Sequence, residues 1–239
     1  MMPASLLECL RADGYAIIEK VIDLDEVASL LASLKDLPAD STTRVRGRQP
    51  YARRNLLDLP VIQNLAHSSP LHSVVKAILG DEAQPVRGIL FDKTTEANWL
   101  VPWHQDLSIA VKERIDVPGF GPWSEKAGVV HVQPPIDVLQ RMVTIRLHLD
   151  DCTIDNGPLR VVPGTHHRAL TPAEIAERSA AGPHKNCIAP AGGAVIMRPI
   201  ILHASSPAQS PAHRRVIHIE YAGCDLPGGL QWNASNLLR

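Results

Sequence analysis

Eleven histidines stand in a chain of 239 residues, more than a structural role needs. Three of them open a His-x-Asp or His-x-Glu triplet: His104-Gln105-Asp106, His148-Leu149-Asp150 and His218-Ile219-Glu220. On a strand, residues i and i+2 point to the same side, so each triplet offers an imidazole and a carboxylate to one point. A second histidine from elsewhere would complete the two-histidine, one-carboxylate set of non-haem Fe(II) sites, which leaves coordination positions open. Chance alone makes such triplets in a chain with eleven histidines and 25 acidic residues, so context has to choose among them.

His148 and Asp150 end a strand that runs into the turn-rich stretch 151–157, so Asp150 reads as a turn carboxylate and His148 as a half-buried strand histidine. No histidine follows His218 and Glu220, which need an upstream partner. His104 and Asp106 are preceded by Trp99, Pro102 and Trp103, and several strands separate them from His203. A rolled sheet uses such intervening strands to bring sequence-distant residues together.

The elements that must position these groups fall into two textures. The first third is helical. Asp23-Leu24-Asp25-Glu26 has the form of a capping box, and Val27, Leu30, Leu31 and Leu34 follow at helical spacing. A second helix is predicted over 71–79, through Val74, Val75 and Ile78, ending at Gly80. Between them, 42–55 carries Arg44, Arg46, Arg48, Arg53 and Arg54 and reads either as a solvated loop or as an arm that meets an anionic substrate. From about residue 85 short β-type runs begin, at 86–91, 101–103, 142–149, 159–162, 194–197 and 215–221. The stretch 109–138, with Pro118-Gly119-Phe120-Gly121-Pro122-Trp123, is poorly patterned and reads as a lid or binding loop. Helices followed by strands predict an α+β fold with a barrel or sandwich of antiparallel strands. Along 142–150, Val143, Ile145, Leu147 and Leu149 should pack under the helices, while Thr144, Arg146 and His148 share the other face.

Composition bounds the rest. The hydrophobic fraction of 45% excludes wholesale disorder, and 15 Gly with 20 Pro argue against a long-helix bundle. A net charge of −1 gives no global pull toward nucleic acid or anionic membrane, and two Phe, four Trp and three Tyr are few for base stacking. No apolar run approaches a membrane span and no secretory leader is visible at the start. Cys9, Cys152, Cys187 and Cys224 lie far apart, which reads as reduced thiols in a cytoplasmic protein.

The order Trp103-His104-Gln105-Asp106, then Asn156-Gly157-Pro158-Leu159-Arg160-Val161-Val162-Pro163-Gly164-Thr165-His166, then His203-Ala204-Ser205-Ser206 with Arg214 eleven residues after the histidine, resembles the phytanoyl-CoA dioxygenase-like family of Fe(II)/2-oxoglutarate-dependent oxygenases. The resemblance covers roughly 85–223. It implies one domain with a double-stranded β-helix (jelly-roll, cupin-like) core over 83–223, flanked by the mainly helical 1–82 and carrying an active-site lid at 107–138. It implies His104, Asp106 and His203 as ligands of Fe(II), and Arg214 as the partner of the distal carboxylate of 2-oxoglutarate. Arginine suits that role because its fork gives two parallel charge-assisted hydrogen bonds. Ser205 and Thr144 are expected to hydrogen-bond the co-substrate. Arg146, His131, Lys93 and Trp99 are expected at the substrate, and Arg215 in solvent. His166 and His167 read as structural.

The implied reaction consumes O₂ and 2-oxoglutarate and hydroxylates an unactivated C–H of a small organic substrate. Halogenating relatives lack the carboxylate that Asp106 supplies, so the resemblance favours hydroxylation or another oxidative outcome. Two rivals stay open: a cupin-like metal enzyme that ignores 2-oxoglutarate and so does not need Arg214, and a binding protein with a vestigial site.

Overall fold

The computed structural model describes residues 4–35, 37–46, 49–209 and 213–233. In chain order the helices are α1 (Ala4–Ala12), α2 (Leu24–Lys35), α3 (Pro60–Ala66), α4 (Ser69–Leu79), α5 (Ile136–Gln140) and α6 (Pro172–Ala181). The strands of the N-terminal part are β1 (Tyr15–Ile18), β2 (Thr43–Arg46) and β3 (Gln49–Arg53). They are followed by β4 (Gln84–Lys93), β5 (Val101–His104), β6 (Ile109–Val111), β7 (Trp123–Lys126), β8 (Val129–Val132) and β9 (Met142–His148). The last are β10 (Leu159–Val162), β11 (Lys185–Cys187), β12 (Ala194–Met197), β13 (Leu202–Ser205) and β14 (Arg214–Ala222).

A seven-stranded sheet in the order β1-β12-β9-β14-β4-β3-β2 faces a four-stranded sheet β11-β10-β13-β5, with a third, β6-β8-β7, beside them. The strand pairings are antiparallel. This is the α+β jelly roll, with α1–α4 on the outer face of the larger sheet.

Strand periodicity explains which face goes where. Val143, Ile145, Leu147, Ile217, Ile219 and Tyr221 point outward and are buried with Leu30, Leu56, Ile62, Leu71 and Val75 in one apolar core. The capping box forms: the Glu26 amide donates to Asp23 Oδ1 at 2.8 Å and the Asp23 amide to Glu26 Oε2 at 3.1 Å. The opposite face of the same sheet looks into the roll. Register places Arg214 opposite Lys93, His218 between Arg146 and Ile89, and Glu220 between Thr144 and Arg87. Val195, Met197, Leu159 and Val161 close the far end of the interior as a small apolar plug.

Two expectations change, and one helix is added. The N-terminal part is not only helical: β1 completes the sheet beside β12, and the arginine-rich 42–55 folds as a β2–β3 hairpin beside β4. Its exposed polar face gives no apolar alternation, so nothing in the composition announces strands. The stretch 107–138 is not structureless, because Ile109, Val111 and Val132 are fully buried and seat the third sheet against Trp232, Met142 and Ala222. Helix α6 lay in a stretch without apolar periodicity; it is opened by a capping box of Thr171 and Glu174 with Pro172 at its start. Among the described residues no helix is long and apolar enough to cross a membrane.

Candidate active site

Strands β5 and β13 pair so that His104 stands directly opposite His203, their rings 4.2 Å apart between centroids. His104 Nδ1 lies 2.8 Å from the Pro102 carbonyl and His203 Nδ1 lies 2.9 Å from the Ile201 carbonyl. A carbonyl only accepts, so each Nδ1 carries the proton and each Nε2 presents its lone pair. Both Nε2 atoms point at the Asp106 carboxylate, His104 at 3.6 Å from Oδ1 and His203 at 3.6 Å from Oδ2. The ligand atoms of the three residues lie within 4.8 Å of one another. Backbone carbonyls fixing the tautomer of metal-binding histidines are the usual second layer of such a centre.

The electrostatics agree with a cation-binding role. Burial pushes His203 down to about 4, so it is neutral and able to ligate. Burial opposes the charged form of Asp106, but His104, His203 and Arg87 outweigh it and hold the carboxyl well below its ordinary value. Burial also works against charging His104, and the Asp106 carboxylate beside it raises the imidazole nonetheless.

Gln105, between the two ligands of the triplet, points away from them and ties down the turn. Its Nε2 donates to the carbonyls of Ile200 at 2.5 Å and Arg168 at 2.9 Å, and the Leu170 amide donates to its Oε1 at 2.7 Å. Thr165 of the Pro163-Gly164-Thr165 turn donates to the Val162 carbonyl at 2.7 Å and accepts from the Leu202 amide at 2.9 Å, next to His203. The turn motif thus holds the start of β13 in place. His166, expected to be structural, packs its ring where a side chain at Gly14 would have to stand.

One end of the interior is a cationic clamp. Arg214 is 2% exposed, and its Nε and Nη1 have no hydrogen-bond partner among the described residues. Beside it the fully buried Lys93 donates from Nζ to Ser205 Oγ at 2.8 Å and to the Ser206 carbonyl, and lies 5.4 Å from the centre of a Trp99 ring. Burial, with Arg214 and Arg146 nearby, brings Lys93 down to about 7. Ser205 donates in turn to the Gly157 carbonyl at 2.9 Å. Gly157 has φ +70°, and a Cβ there would stand 2.5 Å from the Ser206 carbonyl oxygen and 3.1 Å from Lys93 Nζ. The Asn156-Gly157-Pro158 turn therefore needs glycine both for its backbone and for the approach of Lys93.

On the other side of the histidines a buried polar chain crosses three strands. Arg146 Nη1 donates to His218 Nδ1 at 2.9 Å, His218 Nε2 lies 3.2 Å from Glu220 Oε1, and Arg87 is ion-paired to the same carboxylate. Asp106, His218 and Glu220 also form a grouping of possible ligands. Arg146 occupies one nitrogen of His218, and Glu220 is held by Arg87 and His218, so this grouping is satisfied within the protein. His104, Asp106 and His203 keep their lone pairs and charge turned toward the cavity.

That cavity, of about 260 Å³, is lined among others by His104, Asp106, His203, Arg214, Ser205, Arg146 and Trp99. The structure thus brings together most of the residues singled out from sequence, with Lys93 behind Ser205. Thr144 is not among them: it is fully buried opposite Glu220, six residues along β14 from Arg214, or about 20 Å at the strand rise. His131 is a second correction. It is 2% exposed and sits behind the wall in a separate cleft with Ala110 and Val129, with burial pushing it down to about 4. His148 is fully buried rather than half-buried, and neither ring nitrogen has a partner among the described residues. Arg215 is not simply solvated: it forms a two-pronged ion pair with Asp150 at 2.7 and 2.9 Å, the work of the supposed turn carboxylate.

The arginine-rich segment divides. Arg44 and Arg46 are exposed on β2, Arg53 is paired with Asp40 at 2.8 Å, Arg54 lines the cavity, and Arg48 lies outside the described residues. Arg87 and Lys126 carry no signal in the sequence and are not singled out there, and Gln105 enters only as the residue between His104 and Asp106. Arg54 belongs to the basic run read either as a solvated loop or as an arm that meets an anionic substrate, and His218 opens one of the three triplets.

The donor set fits a ferrous ion: two imidazoles and one carboxylate from one side. The idle donors of Arg214 fit a carboxylate across the cavity. Comparison with known proteins points the same way. Ectoine dioxygenase from Sphingopyxis alaskensis is 28% identical over 168 residues, which cover 66% of this chain and 48% of that protein. The match thus spans about half the length of that relative. The crystal structure of AviO1 from Streptomyces viridochromogenes Tue57 superposes with a TM-score of 0.68 at 26% identity, covering 94% of this chain and 96% of that one. EctD from S. alaskensis, solved with 2-oxoglutarate and 5-hydroxyectoine, superposes with a TM-score of 0.71 at 20% identity, covering 92% and 76%. The family model for phytanoyl-CoA dioxygenase (PhyH) matches residues 10–216, and the chain belongs to that family.

Proposed function

We propose that this chain is an Fe(II)- and 2-oxoglutarate-dependent dioxygenase that hydroxylates an unactivated C–H of a small anionic organic substrate. The balance is R–H, O₂ and 2-oxoglutarate giving R–OH, succinate and CO₂. The observation that carries the reading is the convergence of His104, Asp106 and His203 on one point, with Arg214 buried at the far end of the same cavity and two of its donors without a partner among the described residues. EctD, a neighbour with this fold, was solved with 2-oxoglutarate, which supports the same co-substrate here.

His104, Asp106 and His203 would hold the iron, which when bound would supply redox activity and open coordination positions for oxidising a C–H bond, with 2-oxoglutarate as the two-electron reductant. Arg214 would take the distal carboxylate of 2-oxoglutarate in two parallel hydrogen bonds, with Ser205 and Lys93 closing the same end. Trp99, tilted against Tyr51 at 4.8 Å, walls the cavity and narrows water access. Arg146 is held by His218 so that its guanidinium faces the reacting region without swinging freely. The protein's contribution is positioning and exclusion of water. The four cysteines are unpaired, three of them buried, which supports a reducing compartment such as the cytoplasm.

The test is anaerobic titration of the full chain with Fe(II) and then 2-oxoglutarate, following the visible metal-to-ligand absorption. The band should appear with native protein and fail with His203→Ala. Metal binding without any response to 2-oxoglutarate would favour the cupin-like enzyme that ignores this co-substrate. The band without succinate formation across a broad panel of small organic acids would favour the vestigial binding protein.

A further inference from the structure

The cavity carries more positive charge than the proposed co-substrate needs. Arg214 and Lys93 lie at one end. Arg54, Arg87 and Lys126 line the wall on the opposite side of Asp106, and they come from three separate elements: the end of the β2–β3 hairpin, β4 and β7. Two carboxylates answer these three cations: Glu220, ion-paired to Arg87, and Asp106, whose charge also acts on Arg87 and Lys126 but is the one the iron would take. Arg54 makes no side-chain hydrogen bond or ion pair among the described residues, and its Nε and that of Arg87 are buried without a partner. Among the described residues the one polar contact of Lys126 Nζ is with Ser108 Oγ at 3.1 Å. Burial lowers both Arg54 and Lys126, and Arg87 lowers each of them further, which is mutual repulsion across a short gap. Idle buried donors and uncompensated charge cost stability, and a bound anion is what would offset them.

We infer that Arg54, Arg87 and Lys126 form the subsite for an anionic group of the substrate, a carboxylate or a phosphoryl-type group. This deepens the proposed reading and rests on it for the word substrate. With the co-substrate held at the Arg214 end, an acid group held at the Arg54 end places the carbons next to it against His104, Asp106 and His203. Arg53, its neighbour in sequence, plays no part, because it is turned to Asp40 and the Pro38 carbonyl.

The experiment is isothermal titration of the anaerobic Fe(II)- and 2-oxoglutarate-loaded full chain at low ionic strength. Sulfate is the probe for a phosphoryl-type group and acetate the probe for a carboxylate. At least one probe should bind saturably, and the tighter one names the source. Arg54→Gln and Lys126→Gln should each weaken it tenfold or more, about 1.4 kcal/mol, while Arg53→Gln changes it less than twofold. Melting temperatures near native for either variant show that its loss is not unfolding. No saturable heat with either probe, or affinities unchanged in both Arg54→Gln and Lys126→Gln, overturns the subsite. If native protein takes up no 2-oxoglutarate, the dioxygenase reading falls separately. The same titration on the Arg214→Gln chain, where that competing guanidinium is gone, then still decides the subsite.

Discussion

Replacing Arg214 with glutamine keeps most of its length and removes its charge. The guanidinium is 2% exposed, two of its donors have no partner, and it has no ion pair with a carboxylate among the described residues. Two charge-assisted hydrogen bonds to a carboxylate contribute about 1.5–3 kcal/mol each, and Lys93 and Ser205 remain to retain part of the attraction. A net loss of about 2–4 kcal/mol follows, or roughly 30- to 1,000-fold in the dissociation constant of 2-oxoglutarate. The assay is the anaerobic titration, read at fixed Fe(II). Stability moves the other way. Burial already lowers Arg214 because its charge is poorly compensated, so the ligand-free variant should melt no lower than native. A 2-oxoglutarate affinity within threefold of native, or a melting point more than about 5 °C lower, would refute the argument that this side chain waits for a ligand rather than serving the fold.

His148, pushed down to about 3 by burial and then by Arg146 and Arg214, stays neutral in the folded protein while the unfolded chain takes up a proton below about pH 6.5. The sign is therefore a stability that is full above pH 6.5 and declines as pH falls toward 3, by about 1.4 kcal/mol per pH unit in that window. His148→Phe should flatten the profile measured by urea unfolding between pH 4 and 6; an unchanged slope would remove His148 from the account. Glu220→Ala leaves Arg87 charged and unpaired in the interior and should cost about 3–5 kcal/mol in urea unfolding; a cost under about 1 kcal/mol would mean that water reaches the pair. Gln105→Ala frees the turn that carries His104 and Asp106, and should weaken Fe(II) binding about 10- to 100-fold against a competing chelator; native affinity would show that the turn is held by other means.

Much of this site is written locally. His104 and Asp106 are two apart on a strand end, the Pro163-Gly164-Thr165 turn is contiguous, and 142–148 alternates so cleanly that its buried and cavity faces follow from the residues alone. The capping box at Asp23 is likewise local. The remainder depends on register. Glu220 meets Arg87 across 133 positions of chain, and nothing in either neighbourhood marks the other. Thr144 was misplaced for the same reason: its face was correctly read, but the offset along β14 is set by pairing with Glu220. The β2–β3 hairpin lies toward the sheet edge with a charged outer face, so it lacks the apolar pattern that reveals an inner strand. The apolar face of the third sheet is covered in part by Trp232, about a hundred residues downstream.

The order of the larger sheet has a consequence for how the molecule comes into being. Its middle position is occupied by β14, the last strand in chain order, inserted between β9 and β4. During synthesis the helices and the earlier strands emerge first, yet the slot between β9 and β4 stays vacant until residues 214–222 leave the ribosome. Arg214, His218 and Glu220 arrive together on that strand, so neither the clamp nor the buried polar chain can form before it is inserted. Pairings of such sequence separation are slow to nucleate. A half-made molecule would expose the unsatisfied edges of β9 and β4 to other chains, which makes yield during expression sensitive to anything that delays this final insertion.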